Sequence, residues 1–364
     1  MNSRISALPP IDPWLASSLL QKAIRRGEID LAQDAVAKLY RLRGNLVWRR
    51  LTLIAFEDIG IGDVDLIAEV TKLSTDQHLR RNVGTDAEII SSLVKRMAEA
   101  PKCREPDFLI CTAKQAPAHE ALRCRVAGLS LAERVSLALS PEEQLVSRSV
   151  ATWMASGING GGPITLHEGD LPGLMSGFEK LGLPHPLSSA VAAASGKTKE
   201  PIVAMVPLLW AAIKQAGEEL TVIKDQLPPS ISCRGVPSYA FDKHTRLGKH
   251  AVAQLLRENN TVRDCVSDYV PEFRARDMVE MAAFYADAVA LDRRVTWTQS
   301  VGLEALGIET DMTKIGCPVE GVLPITNVVR NNLDHLNDIR QRLFSSKGLE
   351  AAQRTLPLTR GAKP

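Results

Sequence analysis

The sequence predicts an all-α protein made of multi-helix bundle domains, without an extensive sheet. Apolar residues recur at helical spacing along much of the 364-residue chain, and no sustained period-two alternation is found. Aromatic residues make up only 4% of the chain, while Ala and Leu are frequent, which favours helix bundles over β-sandwiches. With 24% charged and 45% apolar residues, the chain is expected to be globular and to bury a substantial core.

Three short helices are predicted at the start of the chain. Pro13 suits a first helical turn because its missing N–H would be unpaired there, and Gly27 suits the left-handed residue that follows a helix. Asp30 is the predicted cap of the second helix, and Gly44 ends it. A third helix follows directly and carries Trp48 toward the core.

The same periodicity continues to the end of the chain. Prolines, glycines and caps suggest one helix after Asp242 and another after Pro271, with Phe273 facing inward. The other predicted helices cover residues 86–100, 107–116, 131–138, 141–155, 171–181, 187–194, 202–216, 297–306 and 326–344. The predicted domains are 1–125, 126–235 with a glycine-rich junction at 157–163, and 236–345, followed by a disordered tail at 346–364.

Basic side chains outnumber acidic ones between Gln21 and Arg50. The basic residues are Lys22, Arg25, Arg26, Lys38, Arg41, Arg43, Arg49 and Arg50. A basic surface binds a phosphate backbone because neutralising phosphates releases counterions. Solvated helix faces, with arginine stems lying over apolar side chains, are the alternative. The net charge is only +2, so nucleic-acid affinity would have to come from such local patches.

Three ordered segments resemble one protein family. They are QKAIRRGEIDLA at 21–32, WRRLTLIAFEDIG at 48–60 and SLVKRMAEAPKCRE at 92–105. Together they resemble the C-terminal helical region of the MgsA/RarA-type AAA+ ATPases, which include the Werner-helicase-interacting proteins. The matching positions include Lys22, Ile24, Arg25, Arg49, Arg50, Glu57, Asp58, Gly60, Pro101 and Lys102, whereas Cys103 and Arg104 stand where the family has Ser and Asn.

The resemblance covers residues 13–115, approximately, and carries several expectations. In that family the region is helical and mediates oligomerisation beside an ATPase that acts at stalled forks and single-strand gaps. The resemblance therefore implies a helical domain, a replication or repair setting, a homo-oligomer and DNA as a partner. A separate replication or repair ATPase is a further possible partner.

The motor of that family has no counterpart in this sequence. A phosphate-binding P-loop needs the pattern Gly-x-x-x-x-Gly-Lys-Ser/Thr between a strand and a helix. The one candidate, Ser195–Thr198, has Val191 where the first glycine is required and follows an alanine-rich, helix-like run. ATPase activity is therefore not expected, and no cofactor is predicted.

A second polar cluster follows the loop at 227–237. It contains Asp242, His244, Arg246 and Lys249. Arg246 and Lys249 at a helix N-terminus would favour a phosphate, whereas Asp242 beside His244 could form an acid/base pair, because a carboxylate tunes an imidazole toward neutral pH. An ordinary helix capped by Asp242 is the third interpretation.

The cysteines and the N-terminal residues give no indication of a metal site or of a targeting signal. The six cysteines lack close pairs, so they are predicted to be free thiols and no metal site is expected. Met1–Pro10 lacks the apolar core of a signal peptide, and the longest apolar run is too short for a bilayer. A cytoplasmic protein without membrane contact is expected.

The leading hypothesis is a non-enzymatic accessory or DNA-binding factor in replication, recombination or repair. Arg25, Arg26, Arg49 and Arg50 are the best candidates for phosphate contacts or intersubunit ion pairs. One alternative is a hydrolase or nucleotide-processing enzyme centred on the 242–249 cluster. Another is a protein–protein adaptor for an ATPase supplied by a separate chain.

Overall fold

The computed structural model describes residues 8–159 and 168–344 and confirms the all-α prediction. The first part of the chain folds into helices α1 Pro13–Arg25, α2 Ile29–Arg43, α3 Leu46–Ile54, α4 Val64–Thr75, α5 Gln77–Val83, α6 Asp86–Glu99, α7 Glu105–Gln115, α8 Glu120–Ala127, α9 Leu131–Leu139 and α10 Leu145–Ser156. Between α3 and α4 the chain forms a π-helical turn at Ala55–Ile59 and a 3-10 turn at Gly60–Gly62.

The second part adds helices and four short strands. The helices are α11 Leu171–Lys180, α12 His185–Thr198, α13 Met205–Ala216, α14 Arg246–Glu258, α15 Asn260–Ser267, α16 Glu272–Ala283, α17 Ser300–Thr313, α18 Val319–Asn331 and α19 Leu333–Leu343, and a second π-helical turn covers Phe284–Ala288. Strand β1 Thr221–Lys224 pairs antiparallel with β4 Arg293–Thr296, and β2 Ser232–Cys233 pairs with β3 Val236–Pro237. Within the described residues, β-structure is confined to the long-range pair β1–β4, the hairpin β2–β3 and one isolated bridge between Lys102 and Arg294.

Local signals explain where several helices begin and end. The carboxylate of Asp12 accepts a hydrogen bond from the backbone N–H of Leu15 (2.8 Å), and Pro13 occupies the first turn of α1. Gly27 and Gly44 both take positive φ values, at 69° and 53°, where a side chain would be strained. Thr85 and Glu88 form a reciprocal capping box at the start of α6.

The buried apolar residues form two clusters. The larger one draws most of its members from residues 8–241, including Trp48, Phe56 and Trp153. The smaller one draws on residues 251–339, together with Phe108 from α7. Since α7 packs against α17 as well as α10, it links the two clusters. Buried polar side chains from both halves of the chain meet between α7 and α17, where the hydroxyls of Thr112 and Thr310 are hydrogen-bonded (3.1 Å).

Several predicted boundaries were wrong. Thr245, and not Asp242, caps α14 by accepting a hydrogen bond from the N–H of Gly248 (3.0 Å). Glu28, and not Asp30, precedes α2, and its side chain makes no capping bond. Phe273 is 79% exposed instead of facing inward. The predicted final helix at 326–344 is divided between α18 and α19, and the helix expected from residue 141 begins at Leu145.

Other expectations fall inside helices or outside the described residues. Ser195–Thr198 forms the last turn of α12, so the chain makes no phosphate-binding loop there. Residues 160–163 of the glycine-rich junction and the predicted tail at 346–364 lie outside the described residues. In the ranges 8–159 and 168–344, none of the helices combines the length and apolar character needed to cross a membrane.

Candidate functional site

The three segments that resemble one family pack against each other in space. Gly60 and Gly62 bring the turn after α3 against residues 101–103: a Cβ on Gly62 would lie 2.3 Å from the carbonyl oxygen of Pro101. The backbone N–H of Cys103 donates to the carbonyl oxygen of Asp58 (2.9 Å). Only glycine permits this approach, so the turn and the start of α7 form one unit.

Buried ion pairs join α1 to that unit. Arg25 donates from Nε to Asp58 Oδ1 (2.6 Å) and from Nη2 to Glu57 Oε1 (2.9 Å). Gln21 donates to the other oxygen of Asp58 (2.7 Å), and Arg104 stands 3.7 Å from Asp58 Oδ1. Residues Arg25, Glu57, Asp58 and Arg104 are called the central ion network. Both acids lie on the π-helical turn, a geometry common at functional sites.

The two carboxylates of the network have opposite protonation tendencies. Burial alone would raise the pKa of Asp58, but the charges and hydrogen bonds of Arg25, Arg104 and Gln21 hold it below its ordinary value. Burial and the neighbouring Asp58 charge raise the pKa of Glu57. The network therefore holds Asp58 as a carboxylate between two buried guanidiniums.

A second buried ion pair joins α1 to the segment before α14. Lys22 Nζ lies 2.8 Å from Asp242 Oδ2 and donates to Ser18 Oγ (2.7 Å). Asp242 also accepts the backbone N–H of His244 (3.0 Å). A Cβ on Gly248 would lie 2.0 Å from the carbonyl oxygen of Asp242, so this glycine lets the Asp242 backbone pack on α14. The pair is structural because it ties residues 220 positions apart.

A cavity of about 310 Å³, the first cavity, opens between these two ion pairs. One helix face of α1 supplies six residues that follow each other at alternating steps of three and one: Trp14, Ser17, Ser18, Gln21, Lys22 and Arg25. The facing wall contains Arg50, Glu57, Asp242, His244 and Phe284. The cavity is therefore rich in hydrogen-bond donors and has aromatic rings on both sides.

Arg50 is the cation of this wall that lacks a carboxylate partner. Its Nη2 donates to Gln21 Oε1, and no carboxylate of residues 8–159 or 168–344 pairs with it. Its Nε is buried without a hydrogen-bond partner in the same ranges. Arg50 can therefore accept an anionic ligand without breaking an existing ion pair, whereas Lys22 and Arg25 cannot.

His244 is expected to stay neutral in the free protein. Its side chain is exposed, but loss of solvation on the cavity side lowers its pKa to about 4; Lys243 and Lys22 add to this effect, and Asp242 opposes it. A histidine NMR titration should therefore give a midpoint near 4, with the resonance assigned from a His244→Gln variant. A midpoint near the ordinary histidine value of about 6.5 would contradict a desolvated ring.

The basic residues that the sequence analysis predicted as site residues are divided between the interior and the surface. Lys22, Arg25 and Arg26, expected on a basic surface, are buried, and Arg26 stacks on the ring of Tyr239 at 4.2 Å. Arg49 is exposed and donates to the carbonyl oxygen of Thr198 (2.7 Å). The buried arginines and the lysine thus hold the fold together.

The 242–249 cluster is likewise divided. Asp242 and His244 line the first cavity, whereas Arg246 and Lys249 lie exposed on α14 and do not line it. Asp242 contacts the backbone N–H of His244 and not its ring, so the pair lacks the contact that orients an imidazole for acid/base chemistry.

Trp14, Ser17 and Gln21 were missed as site residues. Their spacing with Lys22 and Arg25 on one face of α1 was a signal in the sequence, since it places a polar stripe opposite the apolar one.

Of the residues that the structure describes, no three His, Cys, Asp or Glu side chains are grouped as metal ligands. Comparisons with protein-family models, curated proteins and solved structures gave no match.

Proposed function

We propose that this chain is a non-enzymatic accessory factor in DNA replication, recombination or repair, and that it binds single-stranded DNA at the mouth of the first cavity. One observation carries the proposal. Trp14 is 68% exposed there, beside the guanidinium of Arg43, and Arg50 lines the same cavity. Neither guanidinium pairs with a carboxylate from the described part of the chain.

An exposed tryptophan between cations matches the chemistry of single-stranded nucleic acid. Every base has a π-face that can stack on an indole, and guanidiniums contact the phosphates on either side. Arg43 stands 6.0 Å from the centroid of the Trp14 ring, so a base stacked there lies close to a cation. The binding would be tolerant of sequence because it uses stacking and charge.

Helix α3 extends this surface. Leu46, Arg49 and Arg50 lie at positions i, i+3 and i+4, which share one face of a helix. Leu46 is 63% exposed and Arg49 is exposed beside it. The face offers an apolar contact for a sugar or base, followed by the unpaired guanidinium of Arg50 and by that of Arg49. A phosphate at Arg49 would compete with Glu200, whose carboxylate lies 3.4 Å from it in an exposed ion pair. Trp14, Arg43, Leu46, Arg49 and Arg50 are called the Trp14 surface.

The setting in DNA maintenance rests on the resemblance of residues 13–115 to the MgsA/RarA helical region. The same resemblance supports self-association and a separate ATPase partner, both of which are proposals. The enzyme alternative has less support, because Asp242 is held by Lys22 while Arg246 and Lys249 lie outside the first cavity. Exposed Arg246 and Lys249 remain candidates for additional phosphate contacts on α14.

Replacing Trp14 by alanine should weaken single-stranded DNA binding by about 5- to 150-fold, since stacking on an aromatic contributes about 1–3 kcal/mol per base. Trp14→Phe should lose less, because phenylalanine still stacks. Fluorescence anisotropy with a labelled oligonucleotide measures both. An exposed side chain contributes little to stability, so the fold should remain intact in both variants. Equal affinity of the wild type and Trp14→Ala would reject the proposal.

Removing two phosphate contacts should also change the salt dependence. For the double variant Arg43→Gln/Arg50→Gln, the slope of log K against log[salt] should fall in magnitude by about 1.4, which is about 0.7 for each lost contact to a single strand. Arg125→Gln/Lys180→Gln removes the same charge from exposed residues of α8 and α11 and is the matched control. If both pairs lower the slope equally, binding is non-specific attraction to the whole protein.

A further inference from the structure

Strand β1 has an open edge. Its sheet contains two strands, β1 and β4, so β1 is hydrogen-bonded to a neighbouring strand on one side only. Leu220, directly before the strand, is 39% exposed, Val222 is 46% exposed, and the side chain of Lys224 is 78% exposed. An open edge that carries exposed apolar side chains is a site at which a further strand can pair.

The pairing with β4 determines which backbone groups of β1 face outward. The N–H of Asp225 donates to the carbonyl oxygen of Asp292 (2.9 Å), one position beyond the last pair of the ladder. In an antiparallel pair, residues that exchange hydrogen bonds alternate with residues whose N–H and C=O point away from the partner strand. Ile223 therefore bonds to β4, whereas the N–H and C=O of Val222 and Lys224 face the open edge. In residues 8–159 and 168–344, no group bonds to these four.

The contacts on the far side of β4 agree with this alternation. The N–H of Lys102 donates to the carbonyl oxygen of Arg293 (2.9 Å), and its carbonyl oxygen accepts from the N–H of Val295 (2.8 Å). Arg293 and Val295 lie opposite Lys224 and Val222 in the register, and their backbone groups likewise point away from the partner strand. The far edge of β4 is thus partly occupied by Lys102, whereas the outer edge of β1 is open.

The segment 218–224 is complementary to itself when two copies run antiparallel. It begins with two acids and ends with a lysine, and the exposed apolar residues lie between them. If Leu220 lies opposite Val222 of a second copy, no two like charges face each other, since the opposed pairs are Glu218 with Lys224, Glu219 with Ile223, Leu220 with Val222, and Thr221 with Thr221. Apolar and oppositely charged cross-strand pairs each stabilise a sheet. The charges therefore favour a second copy as the occupant of this edge.

We propose that β1 pairs antiparallel with β1 of a second copy of this chain, across a two-fold axis at Thr221, to form a four-stranded sheet in the order β4–β1–β1–β4. Leu220 and Val222 are two residues apart, so in an extended chain the backbone groups of both face the second copy. The contact uses the same surface on both copies, so it closes as a dimer. A strand pair of this length buries less surface than a standard interface, so the dimer is expected to be weak.

This contact rests on the self-association proposed above and deepens it by naming an interface. The strand lies outside residues 13–115, so the resemblance to the MgsA/RarA region does not imply this interface. No residue of the Trp14 surface belongs to the segment 218–224. DNA binding can therefore be measured separately from the dimer.

Sedimentation velocity of the full chain and of two charge variants tests the proposal. The wild type should be a monomer at about 1 µM and form a growing fraction of dimer toward about 300 µM, as expected for a small interface. Glu218→Lys and Lys224→Glu each oppose like charges at both ends of the strand pair, and each should weaken the dimer about 5- to 30-fold. An equimolar mixture of the two variants opposes unlike charges again and should recover the wild-type affinity within about 3-fold, which also shows that both variants are folded.

Two further variants separate the edge of β1 from the rest of the surface. Val222→Lys replaces the apolar contact by a charge and should weaken the dimer at least about 10-fold, whereas Val301→Lys on α17, where the valine is 68% exposed, should leave it unchanged. Hydrogen exchange at residues 220–224 should slow as the protein concentration rises, because the outward N–H groups become bonded.

Three results would contradict the contact. A chain that stays monomeric at about 300 µM would overturn this interface and the proposed self-association together, while DNA binding that depends on Trp14 would still stand. An assembly whose affinity ignores both charge variants, or a mixture that associates no more tightly than either variant alone, would overturn the β1 contact and leave self-association through another surface.

Discussion

Replacing Asp58 by asparagine is expected to lower the free energy of unfolding by about 3–5 kcal/mol. Asp58 is 0% exposed and is the shared partner of Arg25 and Arg104, which are buried as well. The amide keeps the size of the side chain but removes the charge that the two buried guanidiniums share, so Arg25 keeps only Glu57 and Arg104 keeps Asp107 and the more distant Glu57 as counter-ions. A loss of this size is a large fraction of the stability of an ordinary domain.

Urea denaturation followed by circular dichroism measures the effect. Glu69→Gln is the matched control, because Glu69 also pairs with an arginine, Arg96 at 2.6 Å, but is 42% exposed. A surface pair contributes about 0–1 kcal/mol, so the control should stay within that range. A loss for Asp58→Asn no larger than for Glu69→Gln would mean that the central ion network is solvated.

The same carboxylate predicts a pH dependence. The pKa of Asp58 is lowered in the folded protein, so unfolded chains take up protons at this residue first as the pH falls. The stabilisation by Asp58 is therefore present above about pH 4, the ordinary aspartate value, and is lost below it. The stability difference between wild type and Asp58→Asn should narrow in acid, which urea denaturation at about pH 7 and about pH 3 can show. A constant difference would contradict the shifted pKa.

The helical fold could be predicted because its determinants are local. Pro13 and the two glycines that follow α1 and α2 fix their backbones without help from distant residues. The sequence analysis chose Asp242 as the cap of α14, although Thr245, three positions later, is also a good capping residue. In the structure Thr245 is the cap, while the Asp242 carboxylate pairs with Lys22, 220 residues earlier in the chain.

The burial of the basic residues could not be read from charge counts. Arg25 meets Asp58 across 33 residues of sequence, and Arg26 stacks on Tyr239 from the other half of the chain. A count of local charges gives no information on contacts between residues far apart in the sequence. The sequence analysis therefore predicted a basic surface from cations that the structure buries. The two π-helical turns were not predicted, because we found no residue pattern in the sequence that distinguishes them from α-helix.

The exposed parts of the candidate site were partly visible in the sequence. Arg49 and Arg50 were predicted as phosphate contacts and do lie on the outer face of α3, Arg49 exposed and Arg50 half-buried. Trp14 was overlooked because an aromatic residue at helical spacing is usually part of a core. Only the structure shows that its ring projects away from the apolar stripe of α1 and toward the first cavity.

A double-mutant cycle on Lys22 and Asp242 should separate a structural role of this pair from a role in binding. Lys22→Met alone leaves a buried carboxylate and should cost about 3–5 kcal/mol of stability. In the double variant Lys22→Met/Asp242→Asn the carboxylate is gone, while the asparagine oxygen can still accept the N–H of His244. The double variant should therefore be within about 1–2 kcal/mol of the wild type, because removing both charges leaves neither unpaired. Additive losses would mean that the two side chains do not interact.

DNA affinity of the double variant then decides what Lys22 does at the first cavity. The Lys22 ammonium is bound by Asp242 and Ser18, so a phosphate would have to displace an existing partner to reach it. Single-stranded DNA binding of Lys22→Met/Asp242→Asn should accordingly stay within about 3-fold of the wild type, less than the effect of one stacked base. A loss comparable to that of Arg43→Gln/Arg50→Gln would instead make Lys22 a direct phosphate contact, with DNA entering the cavity and not only crossing its mouth.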